Sequence, residues 1–208
     1  MTPKGHSPVD LESAQTATSR RSLVGALGVA GLASAVALAV ARPVSAAPYS
    51  PTAEDSITLE QVLRVELAAK LLYRDALAAG LAETAAEVAQ MFSDNHEAYA
   101  EEFAGITGIS ADTYDEAFYE ENKDKFATSD VAQFAQAAWE LENNFAATYT
   151  ELFTSLESVE SQTVVASIVM INARTATVLA DLAGVSSDFN LLFDPPAEII
   201  TLSEPQQS

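Results

Sequence analysis

Apolar residues recur at three- and four-residue intervals through four long stretches of this chain, and two of the three joins between them are so short that few arrangements remain possible. Leu59, Val62, Leu63, Glu66, Leu67, Lys70, Tyr73 and Leu77 form the first stripe, which stops near Gly80 and for which Thr58 is a plausible N-cap. Val88, Phe92, His96, Tyr99, Phe103 and Ile106 form the second, ending at Gly108. Ser129 and Asp130 open a third, with Val131, Phe134, Ala138, Glu142, Phe145, Tyr149 and Leu152 on one face. The fourth, Val164, Ile168, Asn172, Thr175, Leu179 and Leu182, ends at Gly184. Strand signals are nearly absent, and the spacing predicts an all-α chain.

The joins near Gly80 and near Glu157-Ser158 are only a few residues long, which predicts two antiparallel helical hairpins. Ile109 to Thr128 lies between them. A helix of about 25 residues is roughly 37 Å long, whereas about twenty extended residues reach some 66 Å, so this segment is long enough to run back along a whole bundle. Its Tyr114, Phe118, Tyr119 and Phe126 predict packing on the way, partly as short helix.

Two of the stripes carry a glutamate, Glu66 and Glu142, and in each a tyrosine follows seven residues later, at Tyr73 and Tyr149. A carboxylate pointing into a core is costly unless a partner receives it there, so these positions concentrate the question of function. Seven residues are about 10 Å of helical rise, which predicts that each tyrosine closes the next core layer rather than touching its own glutamate. Trp139 reads as a packing residue.

The first 46 residues read as an address. A polar stretch ends in Ser19-Arg20-Arg21-Ser22-Leu23, an uncharged apolar run extends to Ala41, and Arg42-Pro43-Val44-Ser45-Ala46-Ala47 offers small residues to a signal peptidase, with cleavage expected after Ala46. The SRRSL string resembles a twin-arginine export signal, which implies an extracellular or cell-envelope location. Retention as a membrane anchor is the alternative, since 19 apolar residues just reach across a bilayer. Cleavage leaves about 160 residues, enough for one domain with a sizeable core. Loss of Asp10 and Glu12 with Lys4, Arg20, Arg21 and Arg42 takes the formal charge from −20 to about −22. With no basic patch to displace counterions, nucleic acid is an unsuitable partner, and such a surface repels anionic lipid once the signal is gone. There is no cysteine, which removes disulfides, thiol catalysis and thiolate metal sites and leaves oxygen and imidazole as the only metal donors.

Laid over 140–184, residues 64–108 place Glu66 on Glu142, Tyr73 on Tyr149 and Gly108 on Gly184, with Phe92 on Ile168 and Phe103 on Leu179 keeping the core phase. His96 falls on Asn172 and Tyr99 on Thr175. On these positions the chain resembles the ferritin-like superfamily, specifically exported bacterial ferritin-like domain proteins, over roughly residues 58–184. The resemblance implies an antiparallel four-helix bundle made of two hairpins joined by a long crossover, behind a linker at 47–57 and ahead of a tail at 185–208. It also implies two metal ions held by one glutamate from each first helix and a Glu-x-x-His pair from each second helix. Both first-helix glutamates are present. The second-helix pairs are replaced by His96-Glu97-Ala98-Tyr99 and Asn172-Ala173-Arg174-Thr175.

The candidate metal ligands are therefore Glu66, His96 and Glu142, for a single iron- or manganese-type ion or none, with Tyr99, Asn172 and Thr175 as surrounding polar groups. The other reading of the same residues is a metal-free polar layer in which the two glutamates share a proton or bond to His96, Tyr99 and Asn172. His96 is the only histidine after the signal, and nothing else supports histidine-based or serine-triad catalysis. The sequence favours a non-enzymatic exported bundle with a remnant metal site over an iron- or oxygen-handling metalloprotein. Monomer and dimer both remain open, as does any protein partner. Phe189 to Phe193 and Ile199-Ile200 predict that the first half of the tail packs on the bundle.

Overall fold

The computed structural model describes residues 49–203; the expected signal at 1–46 and the last five residues lie outside the described residues. Six helices and no strand occur among the described residues: α1 Ala53–Ala78, α2 Glu83–Thr107, α3 Glu116–Phe126, α4 Val131–Ser155, α5 Val159–Leu182 and α6 Phe189–Phe193. Side-chain oxygens of Thr52, Asp115, Asp130 and Ser158 accept amide N–H groups at the starts of α1, α3, α4 and α5. Gly108 and Gly184, at φ +74°, supply the left-handed residue that ends α2 and follows α5.

The first helix begins five residues before the expected boundary at 57/58, so the linker is shorter than 47–57. Thr52, not Thr58, is its cap, through a reciprocal box in which the Thr52 hydroxyl accepts the Asp55 N–H and the Asp55 carboxylate faces the Thr52 N–H. The first turn was hidden because its inward residue is polar. Asp55 is buried, accepting the N–H groups of Glu157 and Ser158 at 2.9 Å each, and so fastens the α4–α5 turn to the start of α1. Burial alone would raise its carboxyl, but these backbone hydrogen bonds outweigh that and hold it below the ordinary aspartate range. Asp55→Ala strands two amides in a buried turn and is expected to cost about 2–4 kcal/mol in urea unfolding. A loss below about 0.5 kcal/mol would show that other contacts hold the turn.

α1 and α2 pack along their length, as do α4 and α5. Hydrogen bonds give the senses of the rest. Asp55 meets Glu157, Glu66 meets Tyr149 and Tyr73 meets Glu142, so numbers fall on one side as they rise on the other and α1 is antiparallel to α4. His96 packs on Phe145 and Phe103 on Tyr149, so α2 and α4 run in the same sense. The connection between them is tied to α1 by the Asp115 N–H to the Arg64 carbonyl (2.9 Å) and the Tyr119 hydroxyl to Asp75 (2.7 Å). Phe118 and Phe126 are buried and Tyr119 packs against the core, whereas Tyr114 is partly exposed, edge-on against Tyr119.

The first half of the tail packs on the bundle in part. Val185, Leu191 and Leu192 lie against the core, but Phe189 and Phe193 are 72 % and 84 % exposed. Four residues apart on one short helix, they stack on each other on its outer side. The second half packs as well: the N–H groups of Glu198 and Ile200 bond to Asn144 Oδ1 and Thr148 Oγ1 of α4, and Ile200 is buried.

Candidate functional site

Glu66, His96 and Glu142 are all buried, and the fold brings them together. They do not converge on one point. The His96 ring stands between the carboxylates, its Nδ1 2.5 Å from Glu66 Oε2 and its Nε2 3.1 Å from Glu142 Oε1. The Tyr149 hydroxyl donates to Glu66 Oε1, and the Tyr73 hydroxyl donates to Glu142 Oε1 at 2.7 Å. One continuous chain therefore crosses the core: Tyr149, Glu66, His96, Glu142, Tyr73.

The tyrosines correct the expectation drawn from spacing. Each lies about 10 Å along the axis from its own glutamate, but α1 and α4 are antiparallel, so that displacement carries each tyrosine to the level of the glutamate on the other helix. The signal was present in the matching seven-residue interval. Reading it required the relative sense of the first and third long helices. Thr175 Oγ1 sits 3.4 Å from Glu142 Oε2 and donates at 2.9 Å to the Asn172 carbonyl. Tyr99 meets the His96 ring edge-on at 6.1 Å, with no hydrogen bond to the carboxylates. The Asn172 amide group, though buried, has no partner among the described residues.

Electrostatics follow from this geometry. Burial disfavours a charged imidazole, but the two carboxylates and their hydrogen bonds outweigh it and carry His96 up to about 10. The surroundings suit a cation, since Tyr73 stacks on the ring at 5.4 Å and Phe145 lies 5.1 Å away. Glu66 is pushed above the ordinary glutamate range by burial, an effect that His96 and Tyr149 reduce and Glu142 reinforces. Burial, together with the neighbouring carboxylates, holds the Tyr73 and Tyr149 hydroxyls protonated far above their usual range. An imidazolium between two carboxylates and a neutral imidazole beside one protonated carboxyl contain the same number of protons. At the close Glu66–His96 contact one proton can therefore be held by either partner.

The donor set fits a metal pair poorly. Both His96 nitrogens are committed to carboxylates, and every carboxylate oxygen of Glu66 and Glu142 faces a hydroxyl or the ring. No three histidine, aspartate or glutamate side chains are grouped to hold an ion among the described residues. The surrounding polar groups Tyr99, Asn172 and Thr175 offer a phenol, an amide and an alcohol, all weak donors to a divalent ion. Comparison with protein families, curated proteins and solved structures returns no match to this chain.

Proposed function

We propose that this chain is an exported, non-enzymatic protein of ferritin-like design, in which α1, α2, α4 and α5 form the four-helix bundle, residues 109–130 form its crossover, and a proton-sharing layer occupies the place of the metal centre. The observation that carries this reading is the His96 ring lying between Glu66 and Glu142 with a nitrogen directed at each. A cation built from the chain's own atoms balances the buried carboxylates, the task an ion would otherwise perform. The parallel run of α2 and α4 and the packing of α3 on both α1 and α4 support the crossover. Export rests on the SRRSL string and the small residues before Ala47. Its outward work then lies with its acidic surface or its tail.

Elemental analysis of protein recovered from the exported fraction of expressing cells tests this, with no stoichiometric metal expected. About one tightly held ion per chain, lost in the Glu66→Ala/Glu142→Ala variant, would instead support the iron- or oxygen-handling alternative.

A further inference from the structure

The outward face of α5 is unlike the rest of this surface. Val159, Thr163, Ala166, Met170, Ala173 and Thr177 follow one another along it at three- and four-residue intervals. Met170 is 59 % exposed, Val159 40 %, and Val178 at the edge of the face 48 %. Between Glu160 and Asp181 the helix carries a single charge, Arg174, which is exposed and makes no ion pair among the described residues. By contrast, α2 presents Glu83, Glu87, Asp94, Glu101 and Glu102 to solvent. α5 is also the only helix among the described residues long and apolar enough to cross a membrane, but its inner side is already used in packing on α4.

We propose that this face docks a second copy of the chain, α5 against α5, antiparallel about a two-fold axis at the level of Ile168. The charge of the surface and the pattern of the face both favour a second copy. Each copy carries a formal charge of about −22 after signal removal, so copies repel one another wherever carboxylates face each other, and this stretch of α5 is almost free of them. The face is also self-complementary. With the axis at Ile168, Thr163 stands opposite Ala173 of the second copy and Ala166 opposite its Met170. Arg174 then comes within about 3 Å of axial rise of the second copy's Glu160, a half-buried carboxylate with no cation beside it among the described residues. The small side chains at 163, 166, 173 and 177 allow the helices to approach closely around the methionine. Two such ion pairs form, one at each end of a two-fold contact.

One helix face per copy is a small interface, so dissociation is expected on the order of tens of micromolar. The salt response is distinctive. Repulsion between the acidic bodies dominates at low ionic strength, so association tightens from 20 mM salt, where repulsion reaches about 20 Å, to 150 mM, where it reaches about 8 Å. A contact held chiefly by ion pairs would loosen instead.

Sedimentation equilibrium of the protein recovered from expressing cells, with its N-terminus defined by mass spectrometry, tests the proposal. Met170→Glu, a change at an exposed position, is expected to weaken dimerisation at least about tenfold while leaving the far-UV circular dichroism unchanged. Arg174→Glu weakens it too, and Arg174→Glu combined with Glu160→Arg restores it. A chain that stays monomeric at several hundred micromolar overturns the proposal, as does a dimer indifferent to Met170→Glu. Flotation with neutral phosphatidylcholine vesicles, abolished by Met170→Glu in a chain that does not dimerise, assigns the face to lipid and overturns it equally.

Discussion

Replacing His96 by leucine is expected to cost about 3–5 kcal/mol of folding stability at pH 7. Leucine nearly matches the ring in volume, so little of the loss comes from a cavity. It comes from leaving Glu66 and Glu142 buried with no cation between them. Each retains one tyrosine, which satisfies a lone pair but does nothing for the charge. The diagnostic comparison is the triple variant Glu66→Gln/His96→Leu/Glu142→Gln, in which the charges disappear together. Most of the loss should return, because a neutral layer that keeps the tyrosine bonds has no uncompensated ion. Urea unfolding of wild type and both variants measures this. A loss below about 1 kcal/mol for His96→Leu would mean that the imidazole is not the cation that holds the layer together.

The second large effect is a stability that declines on the alkaline side. His96 rises from an ordinary 6.5 to about 10 on folding, so its contribution is complete below 6.5 and disappears as the pH climbs through 10. Glu66, also raised, adds to the same slope from its ordinary 4.5 upward, because the unfolded chain releases that proton more readily than the folded one. Asp55 acts in the opposite sense. Its carboxyl is lowered, so its contribution is present above 3.8 and lost only as the pH falls through its folded value. Stability should therefore peak near pH 4 to 4.5 and fall by a few kcal/mol toward pH 10, the His96 part of the decline lying above 6.5. In the triple variant Glu66→Gln/His96→Leu/Glu142→Gln, which has no carboxyl or imidazole in the layer, this slope should flatten. A wild-type curve level from 6.5 to 10, or an equal slope in the variant, would rule out the imidazolium as its source.

Much of the fold was readable because its signals are local. Gly80, Gly108, Asp130 and Gly184 mark helix ends that the apolar rhythm already implied, and the burial of Glu66, His96 and Glu142 follows from their place on apolar stripes. What escaped is non-local. Asp55 looks like a residue of a polar linker until the amides of Glu157 and Ser158, about a hundred positions away, are brought to it. Tyr73 and Tyr149 look like packing residues until α1 and α4 are set side by side in opposite senses. Phe189 and Phe193 look like core residues because composition says nothing about which side of a one-turn helix faces inward.

The exchange of tyrosines between the two halves also bears on alignment. An all-leucine interior would tolerate α1 sliding past α4 by one turn, about 5.4 Å, with little penalty, because one aliphatic contact resembles the next. Here such a slip would pull both phenols off their acceptors and, whichever helix α2 followed, take the imidazole away from one of its two acids. The same five side chains would find no mates if the two helices pointed the same way. A layer that contributes modestly to net stability thus acts as a vernier, rejecting misaligned assemblies one pitch at a time.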